Sequence, residues 1–77
     1  MRKRIVVDNR IMAGKPVISG TRIPVDAIIH RLAKGMTIEE LLDDYPNLIK
    51  KDIMAALEYS ANIVSGEQVI PVIRKAR

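Results

Sequence analysis

Cysteine is absent from the 77 residues, and histidine occurs once, at position 30. Without cysteine the chain has no disulfide, no thiolate metal site and no thiol nucleophile. A single imidazole leaves a zinc centre short of its usual donors. Phenylalanine and tryptophan are missing as well, and Tyr45 and Tyr59 are the only aromatics. That argues against the base-stacking surfaces on which single-strand binders of RNP or OB type rely. No Gly-rich phosphate loop and no triad spacing is present, so neither an enzyme nor a bound cofactor or metal is expected. Long apolar runs are lacking too. Arg2-Lys3-Arg4 imitates the n-region of a signal peptide, but the following run, Ile5-Val6-Val7, stops at Asp8, far short of an h-region. Nothing approaches about 18 uninterrupted apolar residues, so no membrane span is expected and a cytoplasmic protein is the simplest reading.

What is present is apolar bulk and an uneven charge. Apolar residues make up 48% of the chain, high for its size. A chain this short buries only about 60% of its unfolded surface. With disulfides and zinc excluded, oligomerisation is the remaining way to secure such a fold, and a homodimer using β segments of residues 4–23 is expected. The net charge is +4. Residues 1–31 hold seven basic and two acidic side chains, residues 32–70 hold three and seven, and residues 71–77 add Arg74, Lys75 and Arg77. A polyanion should therefore meet the ends of the chain, although ordinary solvated termini read the same way.

The pattern predicts a single α+β domain, mainly α, over residues 1–77: a short antiparallel β-hairpin unit (4–23), a three-helix bundle (24–65) and an extended basic tail (67–77). Ile5-Val6-Val7 is a short β-branched run closed by Asp8-Asn9. Pro16-Val17-Ile18 and Thr21-Arg22-Ile23 read as two further strands joined at Ser19-Gly20, a two-residue hairpin signal. Pro24 opens a helix whose stripe is Val25, Ile28, Ile29, Leu32 and Ala33, with Asp26 and His30 paired on the opposite face and Gly35 as the stop. Thr37 and Glu40 form a capping box for a second helix with the stripe Ile38, Leu41, Leu42 and Tyr45, ended by Pro46. A third helix spans about Lys50 to Val64, with apolar positions Ile53, Ala56, Leu57, Ser60/Ala61 and Val64. Its outward residues are expected to be Lys51, Asp52, Ala55, Glu58, Tyr59 and Asn62. Pro71 restricts the remaining β-branched segment to an edge or extended form, either folded back or inserted into another chain.

Two amphipathic helices joined by Tyr45-Pro46-Asn47-Leu48 and preceded by a third have the layout of a homeodomain-like helix-turn-helix. Three short helices also pack this way merely to make a core. Lys50 and Lys51 at a helix start suit a phosphate, and base readout would rest on Asn47, Tyr59 or Asn62. Glu39, Glu40, Asp43 and Asp44 spread around an outward arc, which fits a solvated face better than a metal or acid–base cluster.

The segments DNRIMAGKPVISGTRIPV (8–25) and KGMTIEELLDDYPNLIKKDIMAAL (34–57) resemble a widespread small prokaryotic family. It was long filed as domain of unknown function number four hundred and thirty-three and is now often described as VapB-type antitoxins. The resemblance covers roughly residues 4–70. It implies an N-terminal β-hairpin unit, a homeodomain-like helix-turn-helix bundle, a homodimer, a PIN-like toxin partner that is a metal-dependent ribonuclease, and binding to operator DNA as autorepressor. A stand-alone DNA-binding regulator without a toxin is the alternative; a ribbon-helix-helix dimer, with Pro16–Ile23 as its ribbon, leaves the long third helix surplus. On this reading Asn47, Lys50 and Lys51 contact double-stranded DNA. Val69, Ile70, Val72 and Ile73 anchor the tail on the toxin, while Arg74, with Arg77 second, enters its carboxylate-lined metal site. The family usually places Ser or Thr where this chain has Ile49, a residue that cannot cap the helix behind it; the loss should cost about 1 kcal/mol.

Overall fold

The computed structural model describes residues 4–66, a small α+β arrangement that is mainly helical. Strand β1 (Ile5–Val6) pairs antiparallel with β2 (Val17–Ile18), in the register Ile5 to Ile18 and Val6 to Val17. Helices α1 (Val25–Ala33), α2 (Ile38–Asp44) and α3 (Lys50–Val64) follow. Between the strands the chain turns at Asp8, whose carbonyl accepts from the Ile11 N–H at 2.8 Å. The Asp8 carboxylate takes the Arg10 guanidinium at 3.0 Å and the Arg10 backbone N–H at 2.9 Å. Those two bonds, the side-chain one foremost, hold Asp8 below the usual carboxylate range. Met12, Ala13 and Gly14 then make one left-handed turn with φ of 51°, 57° and 85°. The first two are strained there, because a left-handed conformation costs a non-glycine residue about 1–2 kcal/mol.

Two local expectations are corrected. The turn at Ser19-Gly20 exists, closed by the Thr21 N–H donating to the Ile18 carbonyl at 3.0 Å, but Thr21–Ile23 is not a strand. Thr21 Oγ1 donates to the Ile18 carbonyl and accepts from the Ile23 N–H, which folds these residues into a compact turn. Only Val17 and Pro24 then bridge, held by the Ile18 N–H donating to the Ile23 carbonyl at 3.0 Å and the Val25 N–H donating to the Pro16 carbonyl at 2.9 Å. The strand that pairs with β2 comes from the N-terminal run instead. The second correction concerns Asp26, which accepts from Lys15 Nζ at 3.1 Å rather than pairing with His30.

The helices begin and end where the sequence predicts. Pro24 sits at the N-cap of α1, and Gly35, with φ of +101°, takes the left-handed turn beyond it. Thr37 and Glu40 make the reciprocal capping box of α2 at 3.1 and 2.8 Å. Arg31 of α1 spans to the end of α2, with Nη1 3.0 Å from Asp44 and its guanidinium carbon 5.0 Å from the Tyr45 ring centroid. The core consists of Ile18, Val25, Ile28, Leu41, Leu48, Ile53 and Ala56, flanked by Ile5, Ile23, Ile29 and Leu32 among others. Every element therefore contributes at least one side chain to a single cluster.

Asp52 departs most from expectation. It does not face outward; it is 7% exposed, the only buried polar residue among those described. Its Oδ1 accepts from Arg4 Nη1 at 2.9 Å, across 48 positions of sequence, and its Oδ2 accepts from the Ile49 N–H at 3.0 Å. This is half a capping box. Asp52 performs its part, but Ile49 has no side-chain acceptor for the free amides of the first turn. Replacing Asp52 with Ala removes both bonds from a buried position and is expected to cost about 2 kcal/mol in urea unfolding. Ile49 is half-exposed, so Ile49→Thr completes the box with little packing lost and should add about 1 kcal/mol. Ala13→Gly relieves the left-handed turn and should add up to about 1 kcal/mol, the gain limited by glycine's freedom in the unfolded chain.

Candidate nucleic-acid interface

Among the described residues four ion pairs form: Arg4 with Asp52, Arg10 with Asp8, Lys15 with Asp26, and Arg31 with Asp44. Arg22, Lys34, Lys50 and Lys51 are in none of them. Three of those four cations belong to elements that meet at the start of α3. Arg22 projects from the turn after β2 and lines an open groove with Ile11, Gly20, Thr21, Ile23 and Asn47. Asn47 lies in the connection between α2 and α3, and Lys50 and Lys51 form the first residues of α3. All four side chains are exposed. The sequence-predicted set of Asn47, Lys50 and Lys51 is thus surface-placed at one corner. Arg22 is an addition that sequence reasoning missed; its only local signal is its place at the tip of a turn.

The electrostatics of this corner are unbalanced. A helix start carries partial positive charge and free amides, so two lysines there oppose the helix dipole. Asp52 offsets this from the first turn, but its carboxylate is already committed to Arg4 and Ile49. An anion placed at the start of α3 would meet Lys50 and Lys51 together with the helix-end amides.

The rest of α3 is unlike a base-reading helix. Tyr59 packs against the core, and Ala55 is half-buried. The outer face carries Met54, Leu57, Glu58, Ala61, Asn62 and Val64. Leu57, Ala61 and Val64, expected on the core side, are solvent-facing, with Val64 73% exposed. Of the expected base readers Asn47 and Asn62 are exposed, and Tyr59 is not. The groups this corner offers an anion are mainly cations and helix-end amides, the kind that meet phosphates and position a protein without specifying sequence.

Elsewhere the acidic arc is partly consumed by structure, Glu40 in the α2 capping box and Asp44 on Arg31, while Glu39 and Asp43 face solvent. No group of three or more His, Asp or Glu residues among those described is placed to hold a metal ion. An apolar groove of about 310 Å³ runs between α1 and α3, lined by Pro16, Val25, Ile29, Tyr59 and Ile63, with Asp26, His30 and Ser60 also bordering it. Among the described residues no helix is long and apolar enough to cross a membrane. Val69, Ile70, Val72, Ile73, Arg74 and Arg77, the expected partner-binding residues, lie outside the described residues.

Comparison with known proteins places this geometry in a family. The profile described as "Protein of unknown function (DUF433)" covers residues 5–60. The chain belongs to the DUF433 family. A crystal structure of a DUF433 member from Anabaena variabilis superposes with a TM-score of 0.72 at 32% identity, over 84% of this chain and 62% of that one. An uncharacterized protein of Archaeoglobus fulgidus is 72% identical over 25 residues, 32% of this chain and 69% of its own length. The uncharacterized protein y4eO of Sinorhizobium fredii is 36% identical over 59 residues, 75% of this chain but 27% of its own length. The Sinorhizobium and Anabaena proteins are thus longer than this chain, and the Archaeoglobus protein is shorter.

Proposed function

We propose that this DUF433 protein is the VapB-type antitoxin of a type II toxin–antitoxin pair. In this role it is a non-catalytic, dimeric protein that neutralises a PIN-like ribonuclease and binds operator DNA as autorepressor. The observation that carries the reading is the corner at which Arg22, Asn47, Lys50 and Lys51 are exposed, its cations being three of the four outside any ion pair among the described residues. A duplex presents phosphates at a spacing that such a cluster can follow. The sequence of α2, a connection of residues 45–49 and α3 supports a helix-turn-helix arrangement for this contact. The apolar outer face of α3 supports confining it to the helix start. Phosphate contacts alone discriminate poorly between sequences. An operator-binding role on this scaffold is therefore a role for an assembly, in which a bound toxin and a second copy multiply the contacts. A stand-alone regulator would share the basic corner and would not need the tail.

The tail supplies the toxin contact in this proposal. Val69, Ile70, Val72 and Ile73 dock along the nuclease, and Arg74, with Arg77 as second choice, fills its anionic metal site.

Two measurements test it. In gel shifts with the chain's own upstream DNA, Lys50→Ala with Lys51→Ala weakens binding, and each lysine, like Arg22, accounts for about one unit of the slope of log affinity against log salt. Unchanged affinity would move the contact to Arg2-Lys3-Arg4 or abolish it. Deleting residues 67–77 leaves the helicity of the domain intact but ends inhibition of the neighbouring nuclease, and Arg74→Ala with Arg77→Ala leaves a complex that still cleaves RNA. Full inhibition by the truncated chain would overturn the toxin mechanism and favour the stand-alone regulator.

A further inference from the structure

Helix α3 has two apolar faces and uses one. Ile53 and Ala56 enter the core, with Tyr59 packed beside them. On the other side Met54, Leu57, Ala61 and Val64 follow one another at spacings of three, four and three, which are the a and d positions of a heptad. All four are exposed; Met54 is 48% and Leu57 37% exposed. A surface helix of a monomer needs one apolar stripe, and a second with heptad spacing is the signature of a helix that pairs.

We infer that this stripe is the interface with a second copy of the chain, formed by two α3 helices packed antiparallel about a two-fold axis. Two features select this occupant and direction. The first is charge. Lys50 and Lys51 stand at the α3 start, and the last turn of α3 has no basic residue of its own. Antiparallel pairing brings each lysine pair to the partner's helix end, where the free carbonyls carry partial negative charge. Parallel pairing would set four lysines against one another. The second is size. In an antiparallel coil an a position meets a d position, so Leu57 of one copy faces the small Ala61 of the other, and Met54 faces Val64. Each layer then combines a larger with a smaller side chain. The two basic corners come to lie at opposite ends of the interface, related by the same two-fold axis as a palindromic duplex. This interface differs from a β-mediated dimer through residues 4–23, and it stands without the antitoxin reading because it involves the protein alone.

The test uses the full chain without DNA or nuclease. Sedimentation equilibrium at micromolar concentrations should show a dimer, and Leu57→Glu should weaken it at least about tenfold with the helical circular dichroism unchanged, because Leu57 is outside the core. Val7→Glu, at an exposed position beside β1, should leave the dimer intact. Because the chain has no cysteine, an equimolar mixture of Leu57→Cys and Ala61→Cys, once oxidised, should give more of the mixed disulfide than of the two homodisulfides together, which random pairing would make equal. A monomeric wild-type chain, an undiminished Leu57→Glu dimer, dissociation by Val7→Glu, or a predominance of homodisulfides would each overturn the proposal.

Discussion

Both oxygens of the Asp52 carboxylate are committed, one to Arg4 and the other to the backbone of Ile49, and much of the fold hangs on that division. A buried carboxylate is costly unless its acceptors are filled. Here one oxygen starts α3 and the other anchors the segment that begins the chain. The Arg4 carbonyl also accepts from the Ser19 N–H at 2.7 Å, which ties the same residue to the turn after β2. Ile49 offers no cap, and a two-residue strand such as β1 cannot hold its place by ladder bonds alone. Holding Arg4 puts Ile5 opposite Ile18, and Ile18 in turn joins Ile28 and Ile53 in the core. The small sheet is thus tied to α3 by an ion pair at its edge and by packing at its centre.

The helices were legible because their signals are local. Thr37 and Glu40, Pro24, Gly35 and the apolar stripes act within one or two turns of the residues they govern; the caps and stops all operate in the structure, while the stripes of α1 and α3 are buried only in part. The sheet was not legible for the opposite reason. Its partners lie a dozen residues apart, while a local turn signal at Ser19-Gly20 offers a nearer pairing that Thr21 converts into a compact turn. The third helix shows a different limit. Periodicity gives the width of an apolar band but not which part of it the neighbouring elements will cover. On α3 the band is wide enough for two faces, and α1, α2 and β1 press on only one. Asp52, placed outward by the apolar stripe of the third helix, is drawn inward by Arg4 and the Ile49 N–H. Its place at the third helical position, behind a residue unable to cap, was the clue to its real partner.

The predicted contact residues Asn47, Lys50 and Lys51 are all at the surface, as short polar residues around a helix start generally are. Arg22 joins them only through the tertiary fold, since the turn after β2 and the α2–α3 connection are separated by more than twenty positions. Charge totals along the chain do not anticipate this corner either. They place the basic excess at the ends, yet among the described residues Arg4, Arg10, Lys15 and Arg31 are each paired with a carboxylate, and three of the four cations outside these pairs stand at this corner.

That clustering bears on the proposed contact with a nucleic acid. On that proposal, the three cations of one corner would give a weak, salt-sensitive grip on phosphates. Pairing two copies doubles the number of phosphates engaged, and because the counterion contribution is multiplicative in affinity, the gain exceeds a factor of two by far. The same pairing covers Leu57 and Val64, whose exposure is a cost to an isolated chain. On the proposed two-fold arrangement, one helix face therefore removes apolar surface from water and sets the geometry of the charged corners. Stability and nucleic-acid affinity would then rise together with protein concentration, which is the behaviour an autorepressor needs to sense its own abundance.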